Sequence, residues 1–155
     1  MSEIRRDMKN LLTSNQTRSA DRHTIENKPI ASIDLMEAAA KAFVEEFIEH
    51  FSDRNISVSI YCGTGNNGGD GLAVARLLKD EGFLKISVKF ARYSDSSTPD
   101  FNVNLERLRA ARIELIELKP GEEFREETAE IIIDALLGTG LNKPLQGDWE
   151  RLVSF

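Results

Sequence analysis

The run Cys62-Gly63-Thr64-Gly65-Asn66-Asn67-Gly68-Gly69-Asp70-Gly71 concentrates the residues of this chain that could do chemistry. Its five glycines between positions 63 and 71 let a backbone turn through positive φ and let a ligand approach bare main chain. A β-branched stretch, Ile56-Ser57-Val58-Ser59-Ile60-Tyr61, precedes the run, and a helical pattern, Leu72-Ala73-Val74-Ala75-Arg76-Leu77-Leu78, follows it. Together they predict a strand, a glycine loop and a helix whose N–H groups and positive dipole end face the loop. That end suits a phosphate. Unlike a bare phosphate loop, this one also offers the amides of Asn66 and Asn67 and the carboxylate of Asp70. Such oxygens can hold a sugar, a polar ring or a hard cation.

A second run, Asp134-Ala135-Leu136-Leu137-Gly138-Thr139-Gly140-Leu141-Asn142-Lys143-Pro144, leaves the apolar strand Ile131-Ile132-Ile133. By itself Asp134 is equally a solvated strand end or a helix cap. Facing Asn67, it becomes half of an oxygen-rich site whose small charge fits a monovalent ion better than Mg²⁺ or Ca²⁺. Lys143 could meet a phosphate, although alone it reads as a solvated loop lysine. Gly63-Thr64-Gly65-Asn66-Asn67-Gly68 also satisfies G-x-G-x-x-G, a weak signal when it stands alone. The acid that would hold a ribose is missing from a clean position, because the second strand ends Phe90-Ala91-Arg92 and Asp95 lies only beyond it. His23 and His50 fall on polar helical faces without metal-ligand spacing.

The elements around these runs set their geometry. Ile4–Leu12 and Thr17–Glu26 are weak helical stretches. Ser32 is a candidate N-cap for a helix over Ile33–Phe51. There Leu35, Met36, Ala39, Ala40, Phe43, Val44, Phe47 and Phe51 form a stripe to pack on a sheet, opposite Glu37, Lys41, Glu45 and Glu49. Gly82 ends the glycine-loop helix, and Lys85–Ala91 alternates as a second strand. Pro99–Arg112 reads as a helix with Pro99 in its first turn, and Ile113–Leu118 as a third strand. Glu122–Thr128 reads as a short helix before the fourth strand. Alternating strands and helices imply an α/β fold, a doubly wound Rossmann-like parallel sheet with helices on both faces. The simplest order, 3-2-1-4, makes the first and fourth strands neighbours and sets both runs across one switch-point crevice.

Composition narrows the function classes. The chain has 155 residues, 41% hydrophobic and 30% charged, enough for one domain with a core. A net charge of −6 without a basic run argues against nucleic acid. No apolar run approaches the ~20 residues needed to cross a bilayer, and no signal-peptide pattern opens the chain. A cytoplasmic protein is the expectation. The single cysteine, Cys62, excludes an internal disulfide and reads as a small apolar residue ending a buried strand.

The run from Gly63 to Leu72 with Ala75-Arg76 resembles the signature of the YjeF N-terminal domain family, the NAD(P)H-hydrate epimerases. Asp134 to Leu141 resembles that family's second loop. Ser32 with Leu35-Met36-Glu37-Ala39 resembles its opening helix, and Thr17–Ile25 its N-terminal helix. The resemblance divides the chain into a polar segment, 1–12, and a Rossmann-like domain, 13–155. It implies interconversion of the R and S epimers of hydrated NADH and NADPH, a repair that lets a dehydratase restore the cofactor. Asn66, Asn67, Gly68, Gly69 and Asp70 would contact the hydrated dinucleotide, as would Gly138, Thr139, Gly140, Leu141, Asn142, Lys143 and Pro144. Asn67 and Asp134 would ligate a potassium ion, which leaves Asp70 as the candidate acid or base.

Two departures from the family pattern stand out. The family continues into a further strand with an Ile-Asp-x-Pro-Ser-Gly type motif, absent here, so the domain reads as incomplete at its C-terminus. Such a chain is expected to associate through its fourth strand or to be marginally stable, and to lack epimerase activity alone. Lys143 also stands where many relatives carry arginine, which keeps the charge and loses the bidentate fork. The alternatives are a non-catalytic nucleotide-binding module and an NAD(P)-dependent Rossmann oxidoreductase. A fused or separate dehydratase domain and a homodimer are the partners left open.

Overall fold

The computed structural model describes residues 13–27, 30–139, 141 and 144–155. The weak helix at Ile4–Leu12 therefore lies outside the described residues. The chain divides into two units, Met1–Ala31 and Ser32–Phe155. In the first, α1 spans Ser14–Asn27. Thr13 and Gln16 cap it reciprocally: Thr13 N–H donates to Gln16 Oε1 at 2.8 Å, and Gln16 N–H to Thr13 Oγ1 at 3.4 Å.

In the second unit α2 is Ser32–His50, β1 Ser57–Cys62, α3 Asn66–Asp80 and β2 Lys85–Ala91. They are followed by α4 (Pro99–Ala110), β3 (Glu114–Leu118), β4 (Ile131–Ala135) and α5 (Asp148–Ser154). The strands form a parallel sheet in the order β3-β2-β1-β4, as the alternation of elements implied. Tyr61 pairs with Asp134 and Cys62 with Ala135, so β1 and β4 end side by side. Gly82, at φ 90°, stops α3 as expected. The N–H groups of Gly82 and Phe83 then take the carbonyls of Lys79 and Leu78 at 3.0 and 3.1 Å. Thr98 caps α4 through its hydroxyl, with Pro99 in the first turn.

The two sheet faces differ in chemistry. Val58, Ile60, Cys62, Val88 and Phe90 are buried in the main core with Leu72 and Leu78 of α3 and Phe101 and Leu108 of α4. Each of the larger of these side chains contributes about 1.5–3 kcal/mol by leaving water. Burial also pushes the Cys62 thiol pKa well up, which keeps it neutral. The other face presents Ser59, Tyr61 and Lys89, and Leu152 and Trp149 of α5 pack near Tyr61.

Four local expectations change. Glu122–Thr128 is irregular rather than helical, because its side chains are spent on the sheet. Glu127 accepts from Lys89 and from the Tyr61 hydroxyl, the latter at 2.8 Å, and also takes the N–H groups of Thr128 and Ala129. The α2 stripe packs chiefly on α3, and Glu37, expected on the solvent face, turns in to meet Arg76 at 2.5 Å and Arg107 at 3.6 Å. Ser32 begins α2 with its hydroxyl donating to Asp100 Oδ2 at 2.6 Å. Ile132, in the middle of the apolar fourth strand, is 56% exposed because β4 is an edge strand and only Ile131 and Ile133 turn toward the core.

The Lys89–Glu127 pair holds the β3–β4 crossover on the sheet, and both side chains are largely buried. Burial raises the Glu127 pKa, but hydrogen bonds from Lys89, Ala129 N–H, Ser59 and Tyr61 outweigh it and bring the group to about 2. The folded carboxylate is therefore more acidic than the unfolded one. Its stabilising effect should be full above the unfolded value, near 4.5, and should fade as pH falls toward 2. Lys89→Ala, which leaves a buried carboxylate unpaired, should cost about 3–5 kcal/mol in urea unfolding at pH 7. That deficit should shrink in acid. A deficit independent of pH would point to lost packing instead.

Candidate active site

The glycine run is shorter as a loop than its composition suggests. Only Gly63–Gly65 turns; α3 begins at Asn66, so Asn66, Asn67, Gly68, Gly69, Asp70 and Gly71 lie on its first turns. None of these glycines has positive φ; among the described residues, that conformation occurs at Gly82, Arg112, Gly121 and Gly147. They are required for close approach instead. A Cβ on Gly68 would collide with the Gly63 carbonyl. One on Gly71 would come within 2.6 Å of Ala135 Cβ and 2.8 Å of Cys62 Sγ, and one on Gly69 within 2.9 Å of Met36 Sδ. The helix is thus seated directly on the ends of β1 and β4. Gly65 caps it without a side-chain hydrogen bond, so no N-cap side chain takes the first N–H groups of α3.

The second loop comes to the same place. Gly63 N–H donates to Ala135 O at 3.0 Å. Asn67 Nδ2 donates to Leu137 O at 3.2 Å, and a Cβ on Gly138 would lie 3.3 Å from Asn67 Cβ. Asn67, Asp70 and Asp134 line one cleft of about 180 Å³, walled by Ala39 and Phe43 of α2 and by Ile133. Asp134 Oδ1 takes the Leu136 N–H at 2.9 Å, which holds the chain as it leaves β4. Thr139, Leu141 and Pro144 are exposed beyond it, while Gly140, Asn142 and Lys143 lie outside the described residues.

The oxygens on offer are of the kind that a hard, weakly charged cation takes. Asn67 donates with its nitrogen and keeps its amide oxygen, and Asp134 keeps a second carboxylate oxygen. Among the described residues no group of three His, Cys, Asp or Glu stands together, so carboxylate, amide and main-chain oxygens are the ligands available. A larger hollow, about 620 Å³, opens at the other end of the sheet beside Lys79, Lys85 and Arg112. It lies where the strands begin, away from the carboxyl ends at which such sheets bind ligands.

A third segment joins the site without a motif to announce it. Thr64, buried, donates its hydroxyl to Ser96 O at 2.9 Å, and Thr98 N–H donates to Thr64 O at 3.0 Å. These bonds stitch the segment after β2 to the glycine turn. The density of hydroxyl residues in Ser94-Asp95-Ser96-Ser97-Thr98 was its only sequence signal.

The family model for the YjeF-related protein N-terminus matches residues 32–154. The chain belongs to that family. A Rhodobacter capsulatus protein named NAD(P)H-hydrate epimerase is 39% identical over 147 residues, which cover 90% of this chain and 67% of that protein. A Salinibacter ruber protein named bifunctional NAD(P)H-hydrate repair enzyme Nnr is 33% identical, over 94% of this chain and 29% of its own. In a Lentilactobacillus buchneri protein, also named NAD(P)H-hydrate epimerase, the match is 33% identical and covers 66%. The chain thus spans about two thirds of these epimerases and under a third of the bifunctional enzyme. The crystal structure of yeast ynu0 superimposes with a TM-score of 0.75 at 21% identity, over 94% of this chain and 64% of that one; it shares the fold. Among the described residues no helix is long and apolar enough to cross a membrane.

The glycines separate folding from ligand approach. Gly68→Ala should cost about 3 kcal/mol or more in urea unfolding, because a main-chain carbonyl blocks the new methyl. Gly65→Ala has nothing within 4 Å and an extended backbone, so it should cost about 1 kcal/mol or less. A Gly68→Ala protein as stable as the parent would show that α3 is not seated on the turn as described.

Proposed function

We propose that the chain carries an NAD(P)H-hydrate epimerase site and that its reaction is interconversion of the R and S epimers of hydrated NADH and NADPH. The observation that supports this reading best is the Asn67–Leu137 hydrogen bond, which joins the two loops at the ends of β1 and β4. A pyrophosphate would take the uncapped N–H groups at the start of α3, with Asn66, Gly68 and Gly69 along it. The loop from Gly138 through Pro144 would form the other substrate-contacting loop, with Lys143 as its cation.

Asn67 and Asp134 are the proposed holders of a potassium ion. Bound there, K⁺ would supply positive charge against the substrate phosphates and fix the spacing of the two loops. Epimerisation itself needs the ring hydroxyl to leave as water, assisted by the lone pair of the ring nitrogen, and water to return on the opposite face. One group must protonate the departing oxygen, and a base must take a proton from the incoming water. Asp70, on the first turns of α3 and lining the cleft with Asp134, is the proposed donor and acceptor. The bifunctional name of the Salinibacter ruber relative favours a dehydratase partner, fused or separate. Cytoplasmic residence and a homodimer belong to the same proposal.

The test adds one purified epimer of hydrated NADH to the chain and follows both epimers by chromatography, with binding measured in parallel by calorimetry. Accelerated equilibration over buffer supports the full reading. Binding without acceleration supports the non-catalytic module, and no binding overturns both. Asp134→Ala should abolish the advantage of K⁺ over Na⁺ in substrate binding. Asp70→Ala should weaken binding and lower any epimerisation about 10²–10⁴-fold. Equal loss of thermal stability and binding in either variant would assign it a structural role.

A further inference from the structure

The end of β2 carries a charge that the proposed function leaves unused. β1 and β2 run parallel with Cys62 opposite Phe90, so the residues after β2 lie beside the glycine turn. In dinucleotide-binding sheets generally, a pyrophosphate on the first helix places the adenosine ribose over the tip of the second strand. An acid there takes a free 2′-hydroxyl, whereas an arginine accommodates a 2′-phosphate. Here that tip is Arg92. Its backbone N–H donates to Leu118 O at 3.2 Å, which fixes it as an extension of the sheet. Its guanidinium lies over the Phe90 ring at 5.4 Å, and its Nε is 3.4 Å from Glu117 Oε1. The group is thus oriented by packing and by one carboxylate contact, with its two terminal amino groups left to offer an anion.

The neighbouring chain adds hydroxyls. Ser94 and Ser96 stand 3.2 Å apart through their Oγ atoms, both exposed, and the Ser96 carbonyl holds Thr64 of the glycine turn. The opposing charges are Asp95, exposed in the same segment, and Asp100, which accepts from Ser32. Asp95 is three residues past the arginine and off the strand, so Arg92 holds the position that faces a ribose.

We infer that Arg92 reads a 2′-phosphate on the adenosine ribose, so that the site favours hydrated NADPH over hydrated NADH. The inference rests on the dinucleotide reading of the α3 N-terminus proposed above. It concerns the adenosine end of the ligand, away from the reacting ring.

The probes are adenosine 2′,5′-bisphosphate and 5′-AMP, titrated calorimetrically into the chain. The bisphosphate should bind about tenfold or more tightly, the advantage of a charge-assisted contact, and that advantage should shrink as salt is raised. Arg92→Gln, which keeps most of the stem over Phe90, should bring the ratio close to one while leaving 5′-AMP affinity unchanged. Arg92→Lys should restore part of it. Asp95→Ala should leave 5′-AMP affinity unchanged. Equal binding of both probes by the parent chain would overturn the inference and leave the nucleotide reading standing. So would a loss of 5′-AMP binding in Asp95→Ala, or equal weakening of both probes in Arg92→Gln. Binding of neither probe would overturn the inference and the dinucleotide site together.

Discussion

Everything at the upper end of this sheet depends on how closely α3 sits against it. Three positions without a Cβ permit that approach: Gly68 against the Gly63 carbonyl, Gly71 against Cys62 and Ala135, and Gly69 against Met36. A methyl at any of them would push the helix outward, since the opposing atoms are main chain or packed side chains. The approach brings Asn67 within reach of Leu137 O, and it brings the first N–H groups of the helix level with the ends of β1 and β4. The loops could be changed and the site re-aimed. Separating helix from sheet would dismantle it.

The seat of α3 is braced from both sides by residues of the same sequence segments. Glu37 of α2 accepts from Arg76 of α3 at 2.5 and 2.7 Å and also faces Arg107 of α4, so one carboxylate ties three helices. These groups are about a fifth to two fifths exposed, enough burial to limit screening and enough water to limit the desolvation cost. Met36, next to Glu37, fills the space above Gly69 and accepts from buried Asn104 through its sulfur at 3.1 Å. On the far face Lys89 and Glu127 pin the crossover that delivers the chain to β4. Asp134 therefore reaches its place because a polar contact on one face and three helices on the other hold the same two strands.

Strand order was legible because alternation of strands and helices leaves few parallel topologies, and the adjacency of β1 and β4 followed from it. The closing glycine of α3 and the cap of α4 were legible for local reasons, since each satisfies its own orphan backbone groups. The role of the glycine run was read incorrectly in detail. Glycine signals both positive φ and close approach, and only the packed structure distinguishes them; here every glycine from 63 to 71 serves approach or openness. Glu37 was misread because a helical wheel records polarity but not partners, and Arg76 lies 39 positions away. Glu122–Thr128 looked helical because charged residues are good helix formers, yet Glu127 is held more strongly by Lys89 and Tyr61 than by its own turn. The tether of Thr64 to Ser96 had no periodic signature at all.

A net charge of −6 looks unfavourable for a protein whose proposed ligand carries several phosphates, and the arrangement of groups resolves the difficulty. Beyond roughly 8–10 Å exposed charges are screened at physiological salt, so the acidic surface contributes little to the field at the sheet tips. What would act there is local: N–H groups at the start of α3 that no N-cap side chain takes, and the guanidinium of Arg92 at the end of β2. The carboxylates in the same region have assigned neighbours or positions. Asp134 takes the Leu136 N–H and Asp100 takes Ser32. A cation shared by Asn67 and Asp134 would shift the same balance further, offsetting the one carboxylate that stands at the end of β4. On the proposed reading the site would take an anion through backbone geometry and a few placed groups, independent of the overall charge of the chain.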